Sequence, residues 1–338
     1  MGSQSPIVPS FGSVIGATQR QGSEQASTSA RDLFDEGGAS GRIGSILARR
    51  YISPLRYPGG KRKLASHVAG LLDRHNLKNV DRIIEPFAGG AATSIAFLEA
   101  GLAREAVLND LDPLVSAFWA TVFSRRADQL ADRILDAKID LQTWDDLRAS
   151  DPTDEVDRAF KCLFLNRTSF SGSLKKTAGP IGGRKQESEY SIDCRWNAEG
   201  LAERVWGLSK LQDRVTVRST DFRRFMGSYR SACSRRPDRS VLWYIDPPFF
   251  HKADALYRFW FNDRDHKALE KSVRSLPGLW MLSYDNCLES REMYADHPGR
   301  AFVDMRYTAA KRSVVQRLDC TELVVTGYSP ATNASGNS

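Results

Sequence analysis

The chain has 338 residues, of which 41% are hydrophobic and 26% are charged, and its formal net charge is +7. This composition is that of a globular protein, and the length suits one large domain or two modest ones. No apolar run reaches the roughly 18 residues needed to span a bilayer, and the N-terminus lacks the pattern of a signal peptide. We therefore expect a cytoplasmic protein, and the basic balance is compatible with a nucleic-acid partner.

Residues 1–48 are rich in Ser, Gly, Gln and Ala and contain few large apolar side chains. Such a segment buries too little surface to offset the entropy of ordering it. We therefore predict a disordered tail over residues 1–48, whose deletion leaves the activity intact, and a flexible C-terminus over residues 331–338. The domain between them is predicted to span residues 49–330.

The five cysteines contain no Cys-x-x-Cys pair, and the five histidines show no spacing that is typical of a metal site. Free thiols in a reducing compartment are the favoured interpretation. The sequence therefore predicts neither a disulfide framework nor a bound metal.

The first regular elements form a strand, a turn, a helix and a second strand. A short apolar run at Ile83-Ile84 leads into the glycine-rich turn 85–90, and a helix of small residues is predicted over 91–100. A strand at 106–108 then runs into Asp110. This order is typical of the beginning of a doubly wound α/β sheet that binds a nucleotide.

Further strands are predicted downstream, with helices between most of them, at 215–218, 241–245, 279–283, 302–306 and 322–328. The region from about 141 to 213 interrupts this alternation, because its helical patterns give way to an aperiodic stretch between Phe170 and Asp193. An irregular stretch of this length inside a domain is usually functional or disordered.

The sharpest chemical signal is Asp246-Pro247-Pro248-Phe249, which follows the predicted strand 241–245. It places Asp246 at the carboxyl edge, where open α/β sheets bind ligands. An adenine amino nitrogen is a poor nucleophile because its lone pair is delocalised into the ring. The Asp246 carboxylate and the Pro247 carbonyl would accept hydrogen bonds from its two N–H groups, while Phe249 offers a face for base stacking. The structural alternative is a tight turn, which prolines also stiffen.

The turn that contains Phe87, Gly89 and Gly90 is followed by an acid, Asp110, at the end of the second strand. Glycines let the backbone approach a ligand closely, and such an acid accepts hydrogen bonds from ribose hydroxyls. The combination favours a nucleoside ligand over a plain strand-to-helix turn. ATP is disfavoured because the sequence contains no Gly-x-x-x-x-Gly-Lys-Ser/Thr phosphate loop.

Two basic segments are candidates for ligand contact. The segment 56–61, Arg-Tyr-Pro-Gly-Gly-Lys, combines charge, an aromatic ring and a glycine turn. The stretch 161–186 contains no acid, and its basic residues are Lys161, Arg167, Lys175, Lys176, Arg184 and Lys185. Basic residues interleaved with Phe170 and glycines suit a loop that lies on DNA. The alternative for both segments is a solvated basic surface.

Taken in order, these motifs resemble the Dam-like family of N6-adenine-specific DNA methyltransferases. The resemblance rests on Arg-Tyr-Pro-Gly-Gly-Lys, Glu-Pro-Phe-Ala-Gly-Gly, Asn-Asp-x-Asp, Leu-Asn-Arg-Thr-Ser-Phe-Ser-Gly, Asp-Phe, Asp-Pro-Pro-Phe and Ser-Tyr-Asp, and it covers residues 55–328. It implies a doubly wound, mixed seven-stranded α/β sheet of the S-adenosylmethionine-dependent methyltransferase type. It also implies that region 141–213 is an inserted helical and loop-rich target-recognition subdomain.

The resemblance implies a role for each matching position. The S-adenosylmethionine site would contain Tyr57, Gly59, Lys61, Phe87, Gly89, Gly90, Asp110, Asp221 and Phe222. The catalytic group would be Asp246, Pro247, Pro248 and Phe249. The residues expected to contact DNA are Asn166, Arg167, Phe170, Lys175, Lys176, Arg184 and Lys185, with Phe170 entering the base stack.

Two positions depart from the family pattern. Phe249 replaces the usual Tyr, which keeps the stacking face, and Ala91 stands where the family often has a further glycine. Because phenylalanine keeps the ring and alanine is small, we expect both changes to be tolerated.

The expected activity is therefore transfer of a methyl group from S-adenosylmethionine to adenine N6 in double-stranded DNA by a monomeric enzyme. Cytosine N4 remains an alternative target, because its amino group needs the same chemistry. A non-catalytic DNA-binding relative is a further alternative, as is an enzyme that acts on RNA or on protein glutamine. The resemblance also leaves open a cognate restriction endonuclease as a partner.

Overall fold

The computed structural model describes residues 38–48, 52–56, 62–236, 240–251, 258–305 and 320–329. Its seven strands are β1 (Val80–Glu85), β2 (Ala103–Asn109), β3 (Val215–Arg218), β4 (Val241–Ile245), β5 (Gly278–Asp285), β6 (Arg300–Met305) and β7 (Cys320–Ser329). They form one sheet in the order β3-β2-β1-β4-β5-β7-β6.

The first five strands pair in parallel, whereas β7 is inserted antiparallel between β5 and β6. The strand order reverses beside β1, where the chain crosses from β3 to β4. The carboxyl ends of the strands at such a reversal form a crevice in which ligands bind. The topology confirms the predicted doubly wound, mixed seven-stranded sheet.

The helices are α1 (Ala39–Leu47), α2 (Arg62–Arg74), α3 (Ala92–Glu99), α4 (Pro113–Val122), α5 (Ala127–Leu135), α6 (Leu141–Ala149), α7 (Glu155–Thr168), α8 (Ala198–Ser209), α9 (Phe222–Ser234), α10 (Asp263–Val273) and α11 (Leu288–Met293). Side-chain caps begin several of them; Asp154, for example, accepts the N–H groups of Val156 and Asp157 at the start of α7. Within the described part of the chain, none of these helices is long and apolar enough to cross a membrane.

The sheet is buried on both faces, as strand β4 illustrates. Its side chains alternate, so Leu242 and Tyr244 join one hydrophobic core, whereas Trp243 and Ile245 join the other. Helices α1 to α8 contribute to the first core, and helices α9 and α10 contribute to the second. A strand covered on both faces explains why β4 is an unbroken apolar run.

The region 141–213 shares the main core and does not build a separate one. Cys162, Leu163 and Phe164 of α7 are fully buried in the same cluster as the sheet. The loop-rich part of this region is the stretch 173–196, between a short 3-10 turn and α8. The aperiodic part of the predicted insertion is therefore limited to this stretch and to the turn before it.

Helix α1 lies inside the segment that we predicted to be disordered. The Asp73 carboxylate accepts the N–H of Ala39 at 2.6 Å and the N–H and hydroxyl of Ser40 at 3.0 and 2.7 Å. Ile43 and Ile46 are buried in the main core. The predicted tail boundary at residue 48 is therefore wrong. The helix consists mostly of small residues, and its two isoleucines are too few to give a recognisable helical pattern in the sequence. Residues 1–37 and 331–338 lie outside the described residues.

The α1 contacts predict different outcomes for two N-terminal deletions. Removal of residues 1–37 should leave the unfolding midpoint close to that of the full chain. Removal of residues 1–48 should lower the free energy of unfolding by about 2–4 kcal/mol, because two buried isoleucines and the partners of Asp73 are lost. Urea denaturation of the three proteins measures the difference. Equal midpoints for the two truncated forms would show that α1 contributes nothing to stability.

Candidate active site

A cleft opens at the carboxyl edge of the sheet, where β1, β2, β3 and β4 end. Its walls include nine of the predicted site residues, namely Phe87, Gly89, Gly90, Asp110, Asp221, Phe222, Asp246, Pro247 and Pro248. They come from four separate stretches of sequence, which meet because parallel strands end at the same edge of the sheet. We refer to this concavity as the cleft.

The glycine-rich turn after β1 is held by contacts from two neighbouring elements. Gly89 has φ = +45°, which glycine adopts without steric cost, and its N–H donates to the Asp110 carboxylate at 2.9 Å. The Trp119 indole N–H, from α4, donates to the Gly89 carbonyl at 2.8 Å. The Ala88 N–H donates to the Asn109 carbonyl at 2.8 Å. The turn therefore lies directly against the end of β2.

Ala91 occupies a left-handed position at the N-terminus of α3. Its φ is +47° and its ψ is 24°, and it is 1% exposed. A residue with a Cβ is strained in this conformation by about 1–2 kcal/mol. The geometry thus gives a physical reason for the glycine that the family often has here, and the small side chain of alanine limits the cost.

Asp110 is the half-buried acid at the end of β2. Its two oxygens accept the Gly89 and Asp112 N–H groups, each at 2.9 Å. Burial raises the pKa of Asp110 to about 7, and the neighbouring Asp112 carboxylate adds to this effect, although the two backbone donors oppose it. Each carboxylate oxygen has a second lone pair, so Asp110 retains the capacity to accept hydroxyl protons in the cleft.

Asn109 links the loops that follow β1 and β3. It is 1% exposed, and its amide nitrogen donates to the carbonyls of Pro86 and Thr220, both at 2.9 Å. Its amide oxygen accepts the Thr220 N–H at 3.1 Å. These bonds fix the distance between two walls of the cleft. Sequence analysis missed this role, because nothing in a strand-end asparagine shows which loops it will reach.

Asp221 and Phe222 lie where α9 begins. Asp221 caps the helix by accepting the Arg223 N–H at 2.9 Å, and its side chain is 44% exposed. The Phe222 ring, by contrast, is 4% exposed and packs against Phe87 and Phe261, with ring centroids 5.7 and 4.9 Å away. Phe222 therefore forms a buried edge of the cleft, whereas Asp221 stays at its surface.

Asp246 follows β4 directly and is oriented by the neighbouring strand. The Ser283 hydroxyl, fully buried in β5, donates to the Asp246 carboxylate at 3.0 Å. Pro247 and Pro248 continue the wall of the cleft beyond Asp246. The carboxylate and the first peptide groups after it are thus presented on a fixed turn beside the glycine-rich turn.

The end of β5 also holds the loop that follows Asp246. The Asp285 carboxylate accepts the N–H groups of Phe250 and His251 at 3.0 and 3.3 Å. The Tyr284 hydroxyl is hydrogen-bonded to Nδ1 of His266, at 2.9 Å, and the His266 ring stacks on Phe250 with centroids 3.7 Å apart. The Ser-Tyr-Asp and Asp-Pro-Pro-Phe motifs therefore occur together because one positions the other.

The same loop is tied to the start of α11 by a small polar group. The His251 imidazole is 3.1 Å from the Glu289 carboxylate, and the Cys287 thiol lies close to both. The potential ligand atoms of these three residues lie within 4.8 Å of one another. Their sequence spacing does not indicate this convergence, and the contacts act as a second restraint on the loop.

Glu85 lies beneath the cleft at the end of β1. It is 2% exposed and accepts the Ser94 N–H at 2.7 Å. Burial raises the pKa of Glu85 to about 8, and the negative charge of Asp246 contributes to this rise, while hydrogen bonds from Ser94 oppose it. Glu85 is therefore largely protonated at neutral pH.

The catalytic set predicted from the sequence is only partly assembled in the cleft. Phe249 is half-buried and is not among the residues that line the cleft with Asp246, Pro247 and Pro248. Its predicted role as the base platform stays a prediction. The predicted cofactor residues Tyr57, Gly59 and Lys61 lie outside the described residues.

Residues 57–312 match the model of the D12 class N6 adenine-specific DNA methyltransferase family. The chain belongs to this family. The Type II methyltransferase M.MjaIII of Methanocaldococcus jannaschii is similar to it, with 23% identity over 243 residues that cover 66% of this chain and 79% of the relative. The match confirms the family, the enzyme class and the adenine-specific DNA methylation that the motifs predicted.

Two residues of this methyltransferase that we predicted to contact DNA are buried, Asn166 at 0% and Arg167 at 5% exposure. Asn166 accepts the Arg56 N–H at 2.7 Å and donates to the carbonyls of Arg56 and Gly172 at 2.8 and 2.9 Å. Arg167 donates to the Pro54 carbonyl at 2.7 Å. The prediction of direct contact with DNA is therefore wrong for both, because their polar atoms hold backbone segments together.

Phe170 projects from the turn that these residues support. It is 71% exposed, and its N–H donates to the Gly179 carbonyl at 2.9 Å. The next two residues are left-handed, Ser171 with φ = +57° and Gly172 with φ = +72°. A Cβ at Gly172 would lie 2.6 Å from the Arg56 carbonyl oxygen. An apolar ring held at the surface of a rigid, strained turn is unusual unless it meets a partner.

Arg148 of α6 fixes the basic loop beyond this turn. It donates to the carbonyls of Lys175 and Ala178 at 3.3 and 2.8 Å and to that of Lys176. Its guanidinium lies over the Trp144 ring, 4.3 Å from the centroid. The loop backbone is thus held to the domain, while Lys176 is exposed and Lys175 is half-exposed.

The remaining predicted DNA residues of the methyltransferase, Arg184 and Lys185, are exposed. Arg184 donates to the Asp145 carboxylate at 2.8 Å, so part of its charge is balanced at the surface. An exposed pair of this kind contributes little to stability.

Proposed function

We propose that this methyltransferase binds S-adenosylmethionine in the cleft and transfers its methyl group to N6 of an adenine that is turned out of double-stranded DNA. The observation that carries the proposal is the placement of Asp246, oriented by Ser283, in the same cleft as Asp110. Asp246 suits the target amine and Asp110 suits a ribose, so the two reactants would lie side by side in the cleft.

The residues of the cleft fit an adenosyl group. Asp110 would accept hydrogen bonds from the ribose hydroxyls, and Asp221 would accept one from the adenine amine. Phe222 would form the edge against which the adenine ring lies. The turn at Gly89 lets the backbone approach closely. When bound, S-adenosylmethionine supplies an electrophilic methyl group on a sulfonium centre. We propose that Tyr57, Gly59 and Lys61 complete this site.

The chain's own contribution to the reaction is to orient and polarise the target amine. The Asp246 carboxylate and the Pro247 carbonyl would each accept a hydrogen bond from one N–H group of N6, which directs the nitrogen lone pair out of the ring plane. Because Ser283 and Asp285 fix these acceptors in advance, little reorganisation is needed as charge develops on the nitrogen. Holding the amine in line with the methyl group supplies a further part of the acceleration.

The DNA surface is proposed to consist of Phe170 with Lys175, Lys176, Arg184 and Lys185. The lysines and the arginine would contact phosphates, so that affinity falls as the salt concentration rises. Phe170 would enter the base stack and compensate for the unstacking of the adenine, which costs a few kcal/mol. An exposed aromatic ring next to exposed cations supports duplex DNA over a protein substrate.

Nucleoside mass spectrometry of DNA that has been incubated with the purified enzyme and S-adenosylmethionine tests the proposal. We expect N6-methyladenine, with duplex preferred over single strands. N4-methylcytosine would identify cytosine as the target, and RNA methylation without DNA methylation would refute the DNA assignment. Absence of any transfer, with the fold intact, would favour the non-catalytic alternative.

Methylation-aware sequencing of a methylation-free host that expresses the chain would give the recognition sequence. A cognate restriction endonuclease, which we propose as a partner, would cut the same sequence when it is unmethylated. We also propose that the enzyme acts as a monomer, for which gel filtration with and without DNA is the test.

A further inference from the structure

A short segment just before α10 spans the cleft, and we call its residues, 258–261, the strap. At one end, the Arg258 guanidinium donates to the Asp112 carboxylate at 2.8 Å. The side chains are 27% and 7% exposed, so water screens this ion pair only partly. Asp112 is also the N-cap of α4 and accepts the Leu114 N–H at 2.9 Å. The strap is therefore attached to a rigid helix end on the first face of the sheet.

The other end of the strap packs against the second core, where Phe261 is partly buried. The Phe261 ring packs against Phe87 and Phe222, with centroids 5.5 and 4.9 Å away. Phe87 follows β1 and Phe222 follows β3, and β2 lies between these two strands. Phe261 therefore lies near the end of β2, as does Asp112 at the other end of the strap. The strap thus crosses the sheet edge above the strand that carries Asp110. No motif in the sequence pointed to this segment.

The middle of the strap presents apolar side chains to the cleft. Phe259 is 41% exposed and Trp260 is 54% exposed, and both line the cleft together with Leu111, which is 46% exposed. Three large apolar side chains that remain in contact with water at one concavity indicate a ligand with an apolar surface. Asp110 lies in the same concavity, so this ligand also carries hydrogen-bond donors. An adenine ring attached to a ribose has both properties.

We propose that the strap is the outer wall of the cofactor site, that Phe259 and Trp260 cover the adenosine, and that the Arg258–Asp112 ion pair keeps the strap closed while the cofactor is bound. The inference rests on the proposed function, because it takes S-adenosylmethionine as the ligand. The strap must open for the cofactor to enter and for the demethylated product to leave.

The test is a double-mutant cycle on cofactor dissociation, measured by stopped-flow fluorescence after dilution or competition. Arg258→Met should raise the dissociation rate of S-adenosylmethionine about tenfold, because a charge-assisted hydrogen bond is lost. Asp112→Asn keeps the oxygen that caps α4 but removes the charge, and it should have a similar effect. The double variant should dissociate no faster than either single variant, because both changes open the same contact.

Arg264→Ala is the matched control, since Arg264 is exposed on α10 just beyond the strap, and it should not change the dissociation rate. Arg258→Lys should lie between Arg258→Met and the wild type. Melting temperatures of all variants, measured without cofactor, separate opening of the strap from unfolding. Arg258→Met with the wild-type dissociation rate, or strict additivity in the double variant, would overturn the proposal.

A second readout reports on Trp260 itself. Binding of S-adenosylmethionine should change the tryptophan emission of the wild type, and Trp260→Phe should remove most of this change. Trp206→Phe, at an exposed position on α8, should retain it. An unaltered signal in Trp260→Phe would show that the strap does not contact the cofactor. Failure of the wild type to bind S-adenosylmethionine would refute the proposed function itself, and the strap proposal with it.

Discussion

Replacement of Asp246 with alanine should lower the rate of methyl transfer by about 10²–10³-fold or more, because a preorganised acceptor for the target amine is removed. The affinity for S-adenosylmethionine should change by less than about threefold, since the proposed cofactor contacts of Asp110 and Asp221 remain in place. Asp246→Asn retains an oxygen that can accept one amine proton but loses the negative charge. It should therefore fall between the alanine variant and the wild type.

Single-turnover transfer of a radiolabelled methyl group to a duplex, together with calorimetric cofactor binding, measures both effects. Asp136→Ala is a suitable control, because Asp136 is an exposed acid at the end of α5. A near-normal transfer rate in Asp246→Ala would remove Asp246 from the chemistry. Loss of cofactor binding in parallel with transfer would instead make Asp246 a structural support of the cleft.

The fold and the grouping of motifs were predictable from the sequence for a physical reason. Alternating strands and helices indicate parallel pairing, and parallel strands bring their carboxyl ends to one edge. The turn at Gly89, Asp110 and Asp246 therefore had to be neighbours, although 21 to 157 residues separate them along the chain. Such reasoning places residues at an edge, but it does not give the direction of a side chain.

The errors at Asn166 and Arg167 show this limit. Both are polar, and they belong to a motif that also contains the exposed Phe170, so a common role at the DNA surface was the natural interpretation. They occupy the last turn of α7, where they reach Pro54 and Arg56, more than 100 residues earlier in the chain. Contacts of this kind leave no periodic signal, because each is a single polar bond between distant segments.

Residues that shape the cleft from behind were missed for a related reason. Trp119 and Asn109 appear in the sequence as an apolar helix residue and a strand end, yet their side chains hold the turns after β1 and β3. The strap likewise belongs to no motif, and its role follows from its contacts with Asp112 and its position in the cleft beside Asp110. What folding adds to the motifs is the set of supports that fixes their geometry.

Asp110 provides the second large effect, since its ionisation should control cofactor affinity. A carboxylate must be charged to accept two hydroxyl protons, whereas burial raises the pKa of Asp110 to about 7 in the cofactor-free protein. Below this pH, Asp110 must therefore lose a proton before S-adenosylmethionine binds. The dissociation constant should rise by about tenfold for each pH unit below about 7 and level off above it.

Asp110→Asn should weaken binding of S-adenosylmethionine by about 10–100-fold at pH 8, because hydrogen bonds to a charged acceptor are replaced by weaker ones. It should also remove the pH dependence that Asp110 causes.

Glu85, whose pKa is raised to about 8, titrates in the same range, so Glu85→Gln is the necessary companion variant. The Asp112 carboxylate, which also faces Asp110, is unchanged in both variants. Calorimetry from pH 6 to pH 9 gives the profiles. If the slope below pH 7 persists in Asp110→Asn and disappears in Glu85→Gln, the controlling acid is Glu85, and the ribose contact assigned to Asp110 is wrong.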